Sequence, residues 1–105
     1  MKAKVFAFLQ TIPAGKVATY GQIASFLGSK NLARVVGNIL HSNIHPEQYP
    51  CHRVVNSRGQ VAKNYAFGGG VAQRAKLESE GIVFEENGTI DLKKYGVENI
   101  GEETL

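Results

Sequence analysis

The chain has 105 residues, 43% of them hydrophobic, and a formal charge of +3, which supports one compact domain around a modest core. Its single cysteine excludes an internal disulfide framework, and one cysteine with three scattered histidines has no zinc-ligand spacing, so no metal or cofactor is expected and a reducing, cytoplasmic setting is. The start, Met1-Lys2-Ala3-Lys4 before Val5 to Leu9, has too short an apolar run for an export signal, and no later stretch would span a bilayer.

From Lys2 to Thr11, Val5, Phe6, Phe8 and Leu9 predict a short helix packed on a core and ended by Pro13-Ala14-Gly15. Thr19-Tyr20-Gly21-Gln22 has capping-box spacing, in which hydroxyl and amide side chains satisfy free backbone donors at a helix start. Ile23, Phe26 and Leu27 are expected to face inward, Gly28 to close the helix in a left-handed conformation, and Ser29 or Asn31 to cap the next one. Helix, tight turn, helix is the predicted motif.

In the third helix Leu32, Val35, Val36, Ile39 and Leu40 form one apolar stripe at i, i+3, i+4, i+7 and i+8. Arg34, Gly37, Asn38 and His41 repeat the spacing on the polar side. That side is small at Gly37 and free of acid, as a helix approaching a nucleic-acid backbone requires. An irregular loop, Ser42 to Tyr49, leads to Pro50-Cys51-His52-Arg53-Val54, where Cys51 to Val55 is expected to be a short buried strand or turn. Asn56-Ser57-Arg58-Gly59 is a turn. Lys63 to Gly70, with Tyr65 and Phe67 among glycines, is expected to be a flexible lid or pocket wall, not a phosphate cradle. Val71 to Glu80 predicts a last helix ended by Gly81. Ile82 to Phe84 and Thr89 to Leu92 around Glu-Glu-Asn-Gly predict a small hairpin or wing. The fold expected is thus mainly α: a winged helix-turn-helix-like domain over 1–95 with four to five helices and a C-terminal β-hairpin, then an acidic tail, 96–105, expected to be disordered.

Charge is unevenly spread. Residues 1–77 hold ten Lys/Arg against Glu47 alone, whereas 78–105 hold two Lys against eight acids. A basic body with an acidic end fits a polyanion binder, and equally a solvated surface. Cys51 itself is either a small buried hydrophobe or a nucleophile. Only the thiolate reacts, so cationic neighbours that lower its pKa favour the nucleophile.

Five signals together, Val17-Ala18-Thr19-Tyr20-Gly21-Gln22-Ile23-Ala24, Ala33-Arg34-Val35-Val36-Gly37, Asn43, Pro50 to Val55 and Glu80-Gly81, resemble the DNA-binding, active-site domain of O6-alkylguanine-DNA alkyltransferases. The resemblance implies that Cys51 takes the alkyl group from O6 of an extruded guanine. His52, held by Glu80, would act through a water as base, Asn43 would pin the turn, and Tyr20 would protonate the departing guanine. It also implies that Arg34 fills the gap left by the extruded nucleotide, with Thr19, Tyr20, Gln22, Gly37, Asn38 and Arg53 against DNA, and Val54, Tyr65 and Phe67 around the substrate. Partners would be duplex DNA containing O6-alkylguanine, with a monomer and no membrane. The single short domain and the expected hairpin also resemble alkyltransferase-like proteins, which bind alkylated DNA without repairing it and hand it to nucleotide excision repair proteins. Those usually carry tryptophan in place of this cysteine. Lys63-Asn64 stands where the family has a glycine before the tyrosine. A winged-helix regulator reading sequence in the major groove is permitted by the charge and helix pattern, but leaves the Cys-His pair unexplained.

Overall fold

Helix α1, Lys2–Thr11, forms over the predicted residues and buries Val5, Phe8 and Leu9; the computed structural model describes residues 1–97. Strand β1, Ala18–Thr19, runs directly into helix α2, Tyr20–Phe26. The junction is the predicted capping box: Thr19 Oγ1 accepts from Gln22 N–H at 3.1 Å, and Thr19 N–H donates to Gln22 Oε1 at 2.9 Å. Two otherwise free donors at the start of α2 are thereby satisfied. Gly28 takes φ +116°, as expected of the residue that ends this helix.

Ser29 Oγ accepts from Asn31 N–H and caps a 3₁₀ turn, Lys30–Leu32, that leads into α3, Ala33–His41. The apolar stripe of α3 is narrower than its periodicity suggested. Val36 and Leu40 are buried, Leu32 and Ile39 half-buried, and Val35 exposed. Phe26, expected inside, is 42% exposed and makes an edge contact with Phe8 of the core. Both misfits have one cause: a helix pair this short contacts the core along a single line, so residues at the stripe's margin stay outside.

A second 3₁₀ turn, Cys51–Arg53, leads into strand β2, Val54–Val55, which pairs in parallel with β1 in the register Ala18 to Val54 and Thr19 to Val55. Helix α4, Gly69–Ser79, follows and buries Gln73 and Leu77. The five helices and small sheet agree with the mainly helical expectation, but the predicted C-terminal hairpin does not form among the described residues. The sheet is β1 with β2 instead. Ile82 and Ile90 drop into a second apolar cluster with Val17, Val55 and Leu77, and Ile90 N–H donates to Gly59 O at 2.8 Å. Anchored that way, 82–91 is a loop closed by Glu85 N–H to Thr89 O, and Leu92–Tyr95 turns into a short helix, α5, capped by Asp91.

Gly96 and Val97, placed in the tail by sequence, are part of the fold. Val97 N–H donates to Val17 O, and its carbonyl accepts from Gln22 Nε2 at 2.9 Å. The remainder of the expected tail, 98–105, lies outside the described residues. No helix among the described residues is long and apolar enough to cross a membrane.

Candidate active site

Three elements converge on Cys51. Its 3₁₀ turn is sealed below by the main apolar cluster, so the residue is only 5% exposed. It nevertheless lines a cavity of about 300 Å³, a size at which small-molecule sites begin. Tyr20 from α2 forms one wall, Gly37, Asn38, Leu40 and His41 from α3 another, and Ala62 to Ala66 a third. Among the described residues no carboxylate lines it. At Gly37 an added Cβ would meet nothing within 4 Å, so that glycine thins the wall without being required by packing. Arg34 is exposed on the same face of α3, one turn nearer its N-terminus.

Asn43, buried at 4%, ties the approach to the cysteine. Its Nδ2 donates to Tyr49 O at 2.8 Å and its Oδ1 accepts from His45 N–H at 2.9 Å. The two bonds hold the loop between α3 and the cysteine turn. Tyr20 and Tyr65 both stand on the cavity wall, and burial pushes both phenols above their ordinary range, so their hydroxyls keep their protons.

Behind the thiol, His52 Nε2 lies 3.0 Å from Glu80 Oε2. Glu80 closes α4 as its C-terminal cap and thereby reaches back to the turn that carries the cysteine. Burial pulls the His52 imidazole below its ordinary pKa, and the Glu80 carboxylate only partly offsets this. A neutral ring that donates from Nε2 to the carboxylate presents Nδ1 as an acceptor. Nδ1 is buried without a partner among the described residues. Burial alone would raise the Glu80 carboxyl, but hydrogen bonds from Arg53 and His52 outweigh it and hold the group ionised.

Several site expectations change here. Arg53 does not face outward for DNA: Nη2 and Nε donate to the two Glu80 oxygens at 2.7 and 3.0 Å, and Nη1 to Ile12 O at 2.7 Å. Its guanidinium fixes the carboxylate that orients His52. Val54 is fully buried in β2 and is not a cavity residue, because the strand's pairing with β1 turns it into the core. Phe67 stands behind Tyr65, edge-on at 5.7 Å, instead of lining the cavity. Thr19 and Gln22 are engaged in the capping box. The thiol, expected to be lowered by its cationic neighbours, is raised: burial dominates, while Asn43, a backbone donor and the Lys76 charge pull the other way. Sequence neighbours were the wrong place to look for that charge, since His52 and Arg53 are both turned onto Glu80.

Two residues of α4 went unremarked in the sequence. Gln73, wholly buried, accepts from Ala62 N–H at 2.7 Å and donates to His52 O and Val54 O at 3.0 and 2.8 Å. Ala62, the residue just before the segment expected to be a flexible lid, is thereby tied to the cysteine turn. Lys76 donates from Nζ to the Tyr65 hydroxyl at 2.9 Å. The available signal was the i, i+4 alignment of Gln73 with Leu77, a polar residue on the inner stripe of a helix.

Comparison with known proteins agrees with this geometry. The family model described as "6-O-methylguanine DNA methyltransferase, DNA binding domain" matches residues 1–82. Alkyltransferase-like protein 1 of Schizosaccharomyces pombe is 44% identical over 80 residues, which are 75% of this chain and 73% of that protein. A DNA base-flipping protein of Vibrio parahaemolyticus is 41% identical over 93 residues, 88% of this chain and 90% of the relative. The crystal structure of S. pombe Atl1 in complex with damaged DNA containing O6-carboxymethylguanine superposes with a TM-score of 0.77 at 37% identity, covering 92% of this chain and 94% of that one. A match that contains the cysteine, its histidine and the carboxylate behind them makes this chain a member of the 6-O-methylguanine DNA methyltransferase family through its DNA-binding domain.

Proposed function

We propose that this protein binds duplex DNA, receives an extruded O6-alkylguanine in the cavity above Cys51, and takes the alkyl group onto its own sulfur once per molecule. One observation carries the reading: Cys51 lies on a cavity between α3 and the 62–66 segment that no carboxylate lines among the described residues, and the next residue, His52, is a neutral imidazole oriented by Glu80. Extrusion is a physical requirement, because a thiol cannot reach the alkyl carbon of a stacked guanine in line. Duplex binding would place α3, with Arg34 exposed on its outer face, against the site the nucleotide leaves.

The chemistry is a displacement. The thiol proton passes through a water to His52 Nδ1, and Glu80, fixed by Arg53, stabilises the imidazolium that forms. Sγ then attacks the alkyl carbon, the carbon–O6 bond breaks, and its electron pair goes to the guanine. Tyr20 supplies the proton that the departing guanine needs and recovers one from solvent; burial keeps its hydroxyl protonated until then. His52 releases its proton in turn. The product is an S-alkylcysteine and a repaired base, with no cofactor called for.

A second reading has an observation of its own in its favour. Burial holds the resting thiol protonated, which slows any attack. In this reading the protein binds and flips the lesion without repairing it and flags it for nucleotide excision repair. Incubation with a duplex containing O6-methylguanine, followed by intact mass measurement, separates the two. Gain of one methyl group, abolished in Cys51→Ala, establishes transfer. Tight lesion-selective binding with no mass change supports the second reading.

A further inference from the structure

One positive charge beside the wall of the thiol's cavity belongs to a residue outside the Cys-His-Glu set. Lys76, half-buried on α4, donates to the Tyr65 hydroxyl at 2.9 Å, and its Nζ lies 5.4 and 5.6 Å from the ring centroids of Tyr65 and Phe67. Tyr65 in turn lines the cavity with Cys51. On its other side Lys76 lines a second cavity, of about 380 Å³, with His52 and Glu80. The ammonium therefore stands between the two compartments, held by a hydrogen bond and two aromatic faces. None of the described ion pairs engages it, whereas the Arg53 guanidinium is spent on Glu80.

We infer that Lys76 is the counter-charge of the reactive sulfur: anchored by Tyr65 and Phe67, it stabilises negative charge on Cys51 Sγ as the thiol gives up its proton and attacks. This rests on the transfer reading above and adds a positioning residue to it, since Lys76 acts through Sγ and does not touch the alkyl group. The titratable groups around the thiol are Tyr20 from α2, His41 from α3, His52 beside it, and Lys63 and Tyr65 from the third wall. Both tyrosines are protonated and neutral, and Lys63 is exposed, so solvent screens its charge. A half-buried ammonium is screened less and counts for more. The Lys76 charge acts on both partners, favouring thiolate at Cys51 and disfavouring the imidazolium at His52. It thus favours a proton that leaves His52 over one that lingers there.

The test uses iodoacetamide, whose iodide the thiolate sulfur displaces, so that thiol reactivity is read without DNA. The rate of Cys51 alkylation is measured against pH in the wild-type chain and in Lys76→Gln, Lys76→Met and Lys76→Arg, with folding checked by circular dichroism. Lys76→Gln retains a side-chain N–H donor and removes the charge together with its contacts on the two rings. Its profile is expected to move to higher pH, with a several-fold lower rate at neutral pH, and Lys76→Arg is expected to stay near wild type. Should Lys76→Met fail to fold, the Gln and Arg pair decides alone. A folded Lys76→Gln with the wild-type profile overturns the inference. If the profile shifts while the wild type takes no methyl from an O6-methylguanine duplex, the counter-charge stands and the transfer reading falls.

Discussion

Gln73→Leu is the substitution whose cost follows most directly from the geometry. Leucine fills nearly the same volume, so little cavity is created, but three hydrogen bonds disappear, two of them to buried carbonyls and one to the N–H of half-buried Ala62. Each buried group left without its partner costs about 1–3 kcal/mol. The buried His52 and Val54 carbonyls bear most of the penalty and the half-buried Ala62 N–H a part of it, so about 3–5 kcal/mol is expected. A domain of this size has about 5–15 kcal/mol in total, so the variant would be folded but much weakened. With a urea slope of about 2 kcal/mol per molar, the midpoint should fall by roughly 2 M at unchanged slope, read by far-ultraviolet circular dichroism. Arg74→Leu is the control. The neighbouring side chain is exposed, with a stacking contact on Phe84 at 4.5 Å and a loose pair with Glu78, and its loss is expected to cost under about 1 kcal/mol. A Gln73→Leu midpoint within experimental scatter of the control would refute the tie between the 62–66 segment, α4 and the cysteine turn.

Gly59→Ala is expected to cost about 2–4 kcal/mol, because the residue has φ +76° and an added Cβ would sit 2.3 Å from Ile90 O; Gly28→Ala, strained but unobstructed, should lose less in the same thermal melts. Stability should fall on acidification: between its ordinary 6.5 and its lower folded value only the unfolded chain protonates His52, and further down the depressed Glu80 adds a second loss. Urea midpoints from pH 8 to pH 4 check this, and an acid limb in His52→Asn as steep as wild type between pH 6.5 and 5.5 would contradict it. Towards alkali the signs reverse, since the raised Cys51 favours the folded state's proton, and stability should decline as pH rises past 9.0, less so in Cys51→Ala. Arg34→Ala should weaken lesion-duplex binding far more than Lys93→Ala, both side chains being exposed but only Arg34 lying on the α3 face; equal losses in titrations at fixed salt would reject that orientation.

Local rules made the frame legible. The α1 periodicity, the Thr19–Gln22 capping box, the Gly28 stop and the Cys51-His52 pair each depend on residues a few positions apart, and all stand where the sequence placed them. What went unread depends on residues far apart in the chain. The Arg53 guanidinium turned inward because Glu80, 27 positions on, draws it there. The 82–91 segment failed as a hairpin because Ile82 and Ile90 had a cluster to enter, which no alternation pattern encodes. Lys76 and Gln73 were hidden for the same reason, since their partners lie on the glycine-rich segment and on the cysteine turn. Adjacency also misled at the thiol, where burial outweighs every neighbouring charge.

The most direct test is where the methyl group resides after one encounter. The protein is mixed with an equimolar duplex carrying O6-methylguanine, digested, and the Cys51 peptide and the oligonucleotide are both analysed by mass spectrometry. Transfer requires one S-methyl group on Cys51 per chain and plain guanine in the duplex. An unmodified Cys51 peptide beside an oligonucleotide that still carries its methyl group, under conditions where the two are bound, would contradict it.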